Sequence, residues 1–117
     1  MSGFQGSYVA KGDILYLSPS GASVKFAWPI GEVVGFGDVF VVRLEPKPGS
    51  CFNENVLGVD PRGNIVWTIV RREHVYEDSP YTAVRKVGDL VRLFNWDGEE
   101  LLVEPHTGAV VEERVGR

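Results

Sequence analysis

The sequence predicts an all-β domain, an antiparallel meander of about nine or ten short strands curled into a barrel or folded as a two-sheet sandwich. Three observations carry this expectation. Apolar and polar residues alternate over short runs and no stretch shows helical spacing. Turn residues punctuate the chain about every ten positions. One hairpin unit also occurs three times. Its middle copy, residues 55–67, reads Asn-Val-Leu-Gly-Val-Asp-Pro-Arg-Gly-Asn-Ile-Val-Trp, two apolar strands around the turn Asp60-Pro61-Arg62-Gly63. Pro61 presets φ at the first central turn position, Asp60 can accept bonds from the following amides, and Gly63 can supply a positive φ.

The other copies are residues 15–24, Leu-Tyr-Leu-Ser-Pro-Ser-Gly-Ala-Ser-Val, and residues 101–111, Leu-Leu-Val-Glu-Pro-His-Thr-Gly-Ala-Val-Val. Their turn prolines, Pro19, Pro61 and Pro105, lie 42 and 44 residues apart, which is the blade length of a β-propeller. The middle and last copies resemble the Asp-x-x-x-Gly-x-x-x-Trp hairpin of the PQQ-like propeller repeat. Only the middle copy keeps both Asp60 and Trp67; the first has Ser18 and Phe26, and the last has Glu104 and no aromatic. The resemblance covers roughly half the chain and implies blade-like units but no quinone, calcium or activity. The chain is also similar to small bacterial proteins with an Asn-x-Asn, Gly-x-x-x-Trp and Trp-Asp-Gly series, here Asn53 to Asn55, Gly63 to Trp67 and Trp96 to Gly98. That likeness implies no function.

At 117 residues, the chain is expected to form one domain, with residues 1–11 loose at their start. This length is too short for a closed propeller, which needs at least about four blades. A 44% hydrophobic composition excludes disorder. The short apolar runs exclude a membrane span, and the N-terminal segment lacks the pattern of a signal peptide. The single Cys51 excludes an internal disulfide and fits a cytoplasmic protein. A net charge of −4 speaks against nucleic acid as a partner.

In order, residues 7–10 form a short edge strand, and 13–17 and 22–28 form the first hairpin, with Val24, Phe26 and Trp28 on its buried face. Residues 32–35 and 39–44 form the second hairpin. Residues 46–54, with two prolines and a glycine, form a loop. The middle hairpin follows, with Ile65, Trp67 and Ile69 facing inward, and 71–80 is a second polar loop. Both loops leave the middle hairpin away from its turn, so they belong at one end of the sheet. Strands 81–87, 90–96, 101–104 and 109–115 complete the meander, joined at Gly88-Asp89, Asp97-Gly98 and 105–108. Arg85, Lys86 and Arg92 can pair across strands with Glu99, Glu100, Glu112 and Glu113; the alternative is an acidic docking edge. Open end edges must curl inward or pair with another chain, which leaves a homodimer open.

Chemistry is sparse. Cys51, His74 and Asp78 are the only set that could give a nucleophile, a base and an orienter, and no nucleophile motif surrounds Cys51. His74, His106 and Cys51 lack the short-spaced pair of a metal site, so neither a metal nor a cofactor is expected. Trp28 and Trp67 belong to the core, whereas Trp96 lies at a rim. The function expected is a non-enzymatic binding or assembly module. It would present residues 46–55 and 71–80 to a protein partner through Cys51, Phe52, Asn53, Asn55, His74, Tyr76 and Trp96, much as an inhibitor caps a basic active site. The alternatives are a small-molecule-binding β-barrel, with the ligand inside it or against Trp96 and Tyr81, and an enzyme using Cys51 and His74.

Overall fold

The computed structural model describes residues 5–74 and 76–115; the start of the expected loose segment lies outside them. The described residues form three antiparallel meander sheets. Sheet I holds β1 (Ser7–Lys11), β2 (Ile14–Ser18) and β3 (Ser23–Lys25). Sheet II holds β4 (Ile30–Gly35), β5 (Phe40–Leu44), β6 (Val56–Val59) and β7 (Ile65–Thr68). Sheet III holds β8 (Tyr81–Val87), β9 (Leu90–Asn95), β10 (Glu99–Val103) and β11 (Val110–Val115). No sheet closes into a barrel, so the barrel alternative is set aside. Each repeated hairpin forms the last two strands of its sheet, which is why a period of about 43 residues was visible.

Sheet II is the middle layer. Every residue of β5 and β6 is buried, because the strands alternate between two covered faces. On one face Leu15, Leu17, Phe26, Phe40, Val42 and Leu57 pack sheets I and II together. On the other, Val41, Val56, Trp67, Tyr81, Leu93 and Leu101 join sheets II and III. The outer face of sheet III carries charged side chains. Arg92 pairs with Glu100 at 3.4 Å, and Arg85 lies over Phe94 at 5.9 Å.

The repeat works because each turn gives room to the hairpin before it. Asp60 Oδ1 accepts the amides of Arg62 and Asn64, both at 2.9 Å, as its turn position requires. Gly63, with φ 91°, lies against Ala22 and Val24 of the first hairpin. Gly108, with φ 76°, lies against the Trp67 ring, where an added Cβ would come within 2.5 Å of Cε3. The Trp67 indole N–H donates to the Pro105 carbonyl at 2.6 Å, so the middle hairpin is hooked onto the turn of the third. His106 in that same turn reaches Asp38 in the β4–β5 connection at 2.9 Å and Glu104 at 2.9 Å.

One expectation changes and one is met in part. Ile65, expected on the inner face with Trp67 and Ile69, is 52% exposed, whereas the other two are buried. A register shift between Gly58 and Val59 turns the start of β7 away from sheet III. Trp28 is half-buried and stacks obliquely on Phe52, with centroids 6.2 Å apart.

Trp67→Ala removes both the ring and its hydrogen bond, and is expected to cost about 3–5 kcal/mol in urea unfolding. Gly108→Ala, strained in φ and clashing with the ring, is expected to cost more than about 1 kcal/mol; an unchanged midpoint would contradict the hook.

The His106 latch also predicts a pH dependence. Its bonds to Glu104 and Asp38 raise the imidazole above its ordinary value. This contribution is full below the unfolded value of about 6.5 and disappears as pH rises through the folded one. Partial burial opposes ionisation of Glu104, but the His106 ring and the amides of His106 and Thr107 outweigh it and hold the carboxyl low. That contribution is present above the ordinary carboxyl range and lost in acid. Wild-type stability is expected to fall by no more than ~1 kcal/mol as pH rises above the ordinary imidazole value of about 6.5, since the pair is half exposed, and His106→Gln to flatten that slope.

Candidate functional site

The two long connections, residues 45–55 and 69–80, meet at the end of the molecule opposite the repeated turns. Backbone staples hold them there. Asp78 accepts the amides of Gly49 at 2.7 Å and Cys51 at 3.2 Å. Asn53 donates to the Glu77 carbonyl and accepts the Ser79 amide, both at 2.8 Å. Asn55, with no exposed surface, donates to the carbonyls of Leu44 at 2.8 Å and Tyr81 at 2.9 Å and accepts the Tyr81 amide at 2.8 Å. One amide side chain therefore ties the end of β5 to the start of β8. Asn95, the last residue of β9, ties that strand to the connection before β8, donating to the Ser79 carbonyl at 2.9 Å.

On this frame lies an apolar groove of about 500 Å³. Pro46, Pro48, Tyr76, Pro80 and Trp96 line its walls. Trp96 is 65% exposed and Tyr76 57%, so two large aromatic rings face solvent at one place. Arg43 lines the groove but is 8% exposed, donating from Nε to Glu32 at 2.9 Å and from Nη1 to Glu45 at 2.5 Å. Glu32 also accepts the Val84 amide at 3.1 Å, which fixes this wall to sheet III.

A second, polar cavity of about 610 Å³ lies behind Tyr76 and is lined by Cys51, Asn53, Arg72 and His74. Cys51 and His74 thus share a cavity, but Asp78 does not orient the imidazole. His74 Nδ1 faces Asp97 at 3.2 Å, with both side chains almost fully covered. Cys51 holds φ 59° under the Asp78 bond, and its thiol faces the Gly49 carbonyl at 3.8 Å. Local desolvation and the carboxylates of Glu77 and Asp78 push the thiol up. An activated nucleophile needs the opposite shift.

His74, Asp97 and Glu99 place one nitrogen and two carboxylate oxygens within 4.8 Å of one another, a set the spacing of the sequence did not suggest. Arg72 already occupies Glu99 through two bonds, at 2.9 and 3.3 Å, and also reaches Glu113 at 3.1 Å. A guanidinium in that position opposes a divalent cation. The phenol of Tyr81, edge-on to His74, is pushed up by burial and then by Glu99.

Of the residues expected at the site, Tyr76 and Trp96 are presented to solvent, and Cys51, Asn53 and His74 line the polar cavity. Phe52 packs against Trp28 and the core between sheets I and II, and Asn55 is a buried staple. Arg43 and Glu45 were missed. Strand alternation places Arg43 on the side of β5 opposite Phe40, Val42 and Leu44, and its partners Glu32 and Glu45 come from the neighbouring strand and the connection that follows.

Three stacked meanders, a matching turn in each, and a tryptophan hooked into the next turn define a propeller-type array of blades. The chain belongs to the family described as Domain of unknown function (DUF7957), whose model matches residues 8–115. No curated protein matches it. Among solved structures it is similar to the crystal structure of BamB from Moraxella catarrhalis, with a TM-score of 0.62 and 17% identity. That match covers 94% of this chain and 33% of the other, so the chain spans about a third of that protein's length and the likeness is one of fold. It supports the propeller relation expected from the hairpin repeat.

Asn55→Ala leaves the Tyr81 amide and two carbonyls short of a partner in a dry site. It is expected to cost about 2–4 kcal/mol in urea unfolding and to make residues 71–80 a preferred site of limited proteolysis. A loss below ~0.5 kcal/mol would show that the two loops do not depend on the staple.

Proposed function

We propose that this chain is a non-enzymatic binding module that presents the groove between residues 45–48 and 76–82 to a protein partner. One observation carries the reading: Trp96 and Tyr76 stand more than half exposed over an apolar groove whose backbone is pinned by buried asparagines. Aromatic rings of this size are normally the most buried surface of a small domain, and exposed ones on a rigid frame are the residues that dominate protein interfaces. A frame ordered beforehand lowers the entropy cost of binding. The chemistry of Cys51 and His74 supports the non-enzymatic side, since the thiol is held protonated and the imidazole is engaged by Asp97.

The second reading is a small ligand stacked on Trp96 in the same groove, whose volume lies in the range of such sites. A photo-reactive amino acid placed at Trp96, and as a control at the exposed Val111, separates the two in cells that make this protein. A protein adduct from position 96 and none from position 111 is the expected result. Adducts from both positions, or from neither, would contradict the reading.

A further inference from the structure

The groove has walls of an unusual kind. Three proline rings, Pro46, Pro48 and Pro80, face it together with the rings of Tyr76 and Trp96. Rigid rings lining an open groove suit a rigid, extended ligand better than a flexible one. A proline-rich strand in the polyproline II form suits such a groove. It has three residues per turn, no internal hydrogen bonds to break, and little conformational entropy left to lose.

The charge at the groove selects further. Arg43 serves two carboxylates, Glu32 and Glu45, so that cluster keeps a net negative charge. Glu45 is the outer member, with 61% of its side chain exposed. Asp78 and the exposed Lys47, of opposite charge, also line the groove. The whole chain carries −4. Glu45 offers a cationic side chain a carboxylate, and the exposed Trp96 ring offers a face where a cation is favoured by the ring quadrupole.

We propose that the groove takes an extended, proline-containing segment of a partner protein that carries an Arg or Lys near the proline. This rests on the protein-binding reading above and gives the partner its chemistry.

The test is a selection of short random peptides displayed on phage, with the full chain as bait and the Trp96→Ala and Tyr76→Ala variants as subtractive baits. Both side chains are largely exposed, so the variants should keep the wild-type amide spectrum, and either one alone suffices if the other does not fold. Enriched peptides are expected to share a proline with Arg or Lys within a few residues. A synthetic copy should lose at least about tenfold in affinity on Trp96→Ala, lose a few-fold on Glu45→Gln, and weaken with added salt. Enrichment that depends on Trp96 but lacks proline, or is acidic, would overturn this inference and leave the protein-binding reading standing. An absence of enrichment that depends on Trp96 and Tyr76, together with no adduct from position 96, would overturn both.

Discussion

The hook of Trp67 into the turn of the third hairpin is the contact on which the rest of the structure depends. Its ring lies over Gly58 on its own sheet and against Gly108 on the next, and its N–H closes on the Pro105 carbonyl. A side chain at either glycine would deny the ring its seat. Because the indole is buried and its one donor is satisfied, burial and hydrogen bonding favour the same spacing of sheets II and III. With that spacing set, Val41 and Val56 meet Leu93 and Leu101 in one core.

The groove is a consequence of this spacing at the opposite end. At that end, buried asparagines and the Glu32 carboxylate pair backbone groups of the connections and of β8. The polar groups thereby satisfied let the connections run as irregular chain over a dry core, which water alone could not support. Prolines and exposed rings line the groove there, beside the charged side chains of Glu45, Lys47 and Asp78. The site is therefore rigid and largely apolar, a surface suited to recognition.

Much of this was legible in the sequence, for physical reasons that can be named. The hairpin repeat was visible because its turn requires Pro, Gly and a side-chain acceptor at fixed offsets, and those requirements are local. That both long loops share one end followed from antiparallel geometry alone, and the rim position of Trp96 followed from the adjacent Asp97-Gly98 turn. The failures lie where a residue's fate depends on another sheet. Ile65 has the right alternation but a bulge turns it out. Asn55 reads as a polar loop residue and is a fully covered staple. Phe52 reads as a presented aromatic and packs on Trp28. The pairing of His74 with Asp97 instead of Asp78 joins a loop to a hairpin turn 23 residues away, which no spacing rule encodes.

The central claim is that the Trp67 hook makes sheets II and III one cooperative unit. Native-state hydrogen exchange of the central amides of β6 and β10, in the wild type and in Trp67→Phe, tests it most directly. The account predicts that both strands exchange through the same opening and that the substitution lowers the protection of both by the same amount. Loss of protection confined to β6, with β10 unchanged, would show that the sheets open separately and would contradict the claim.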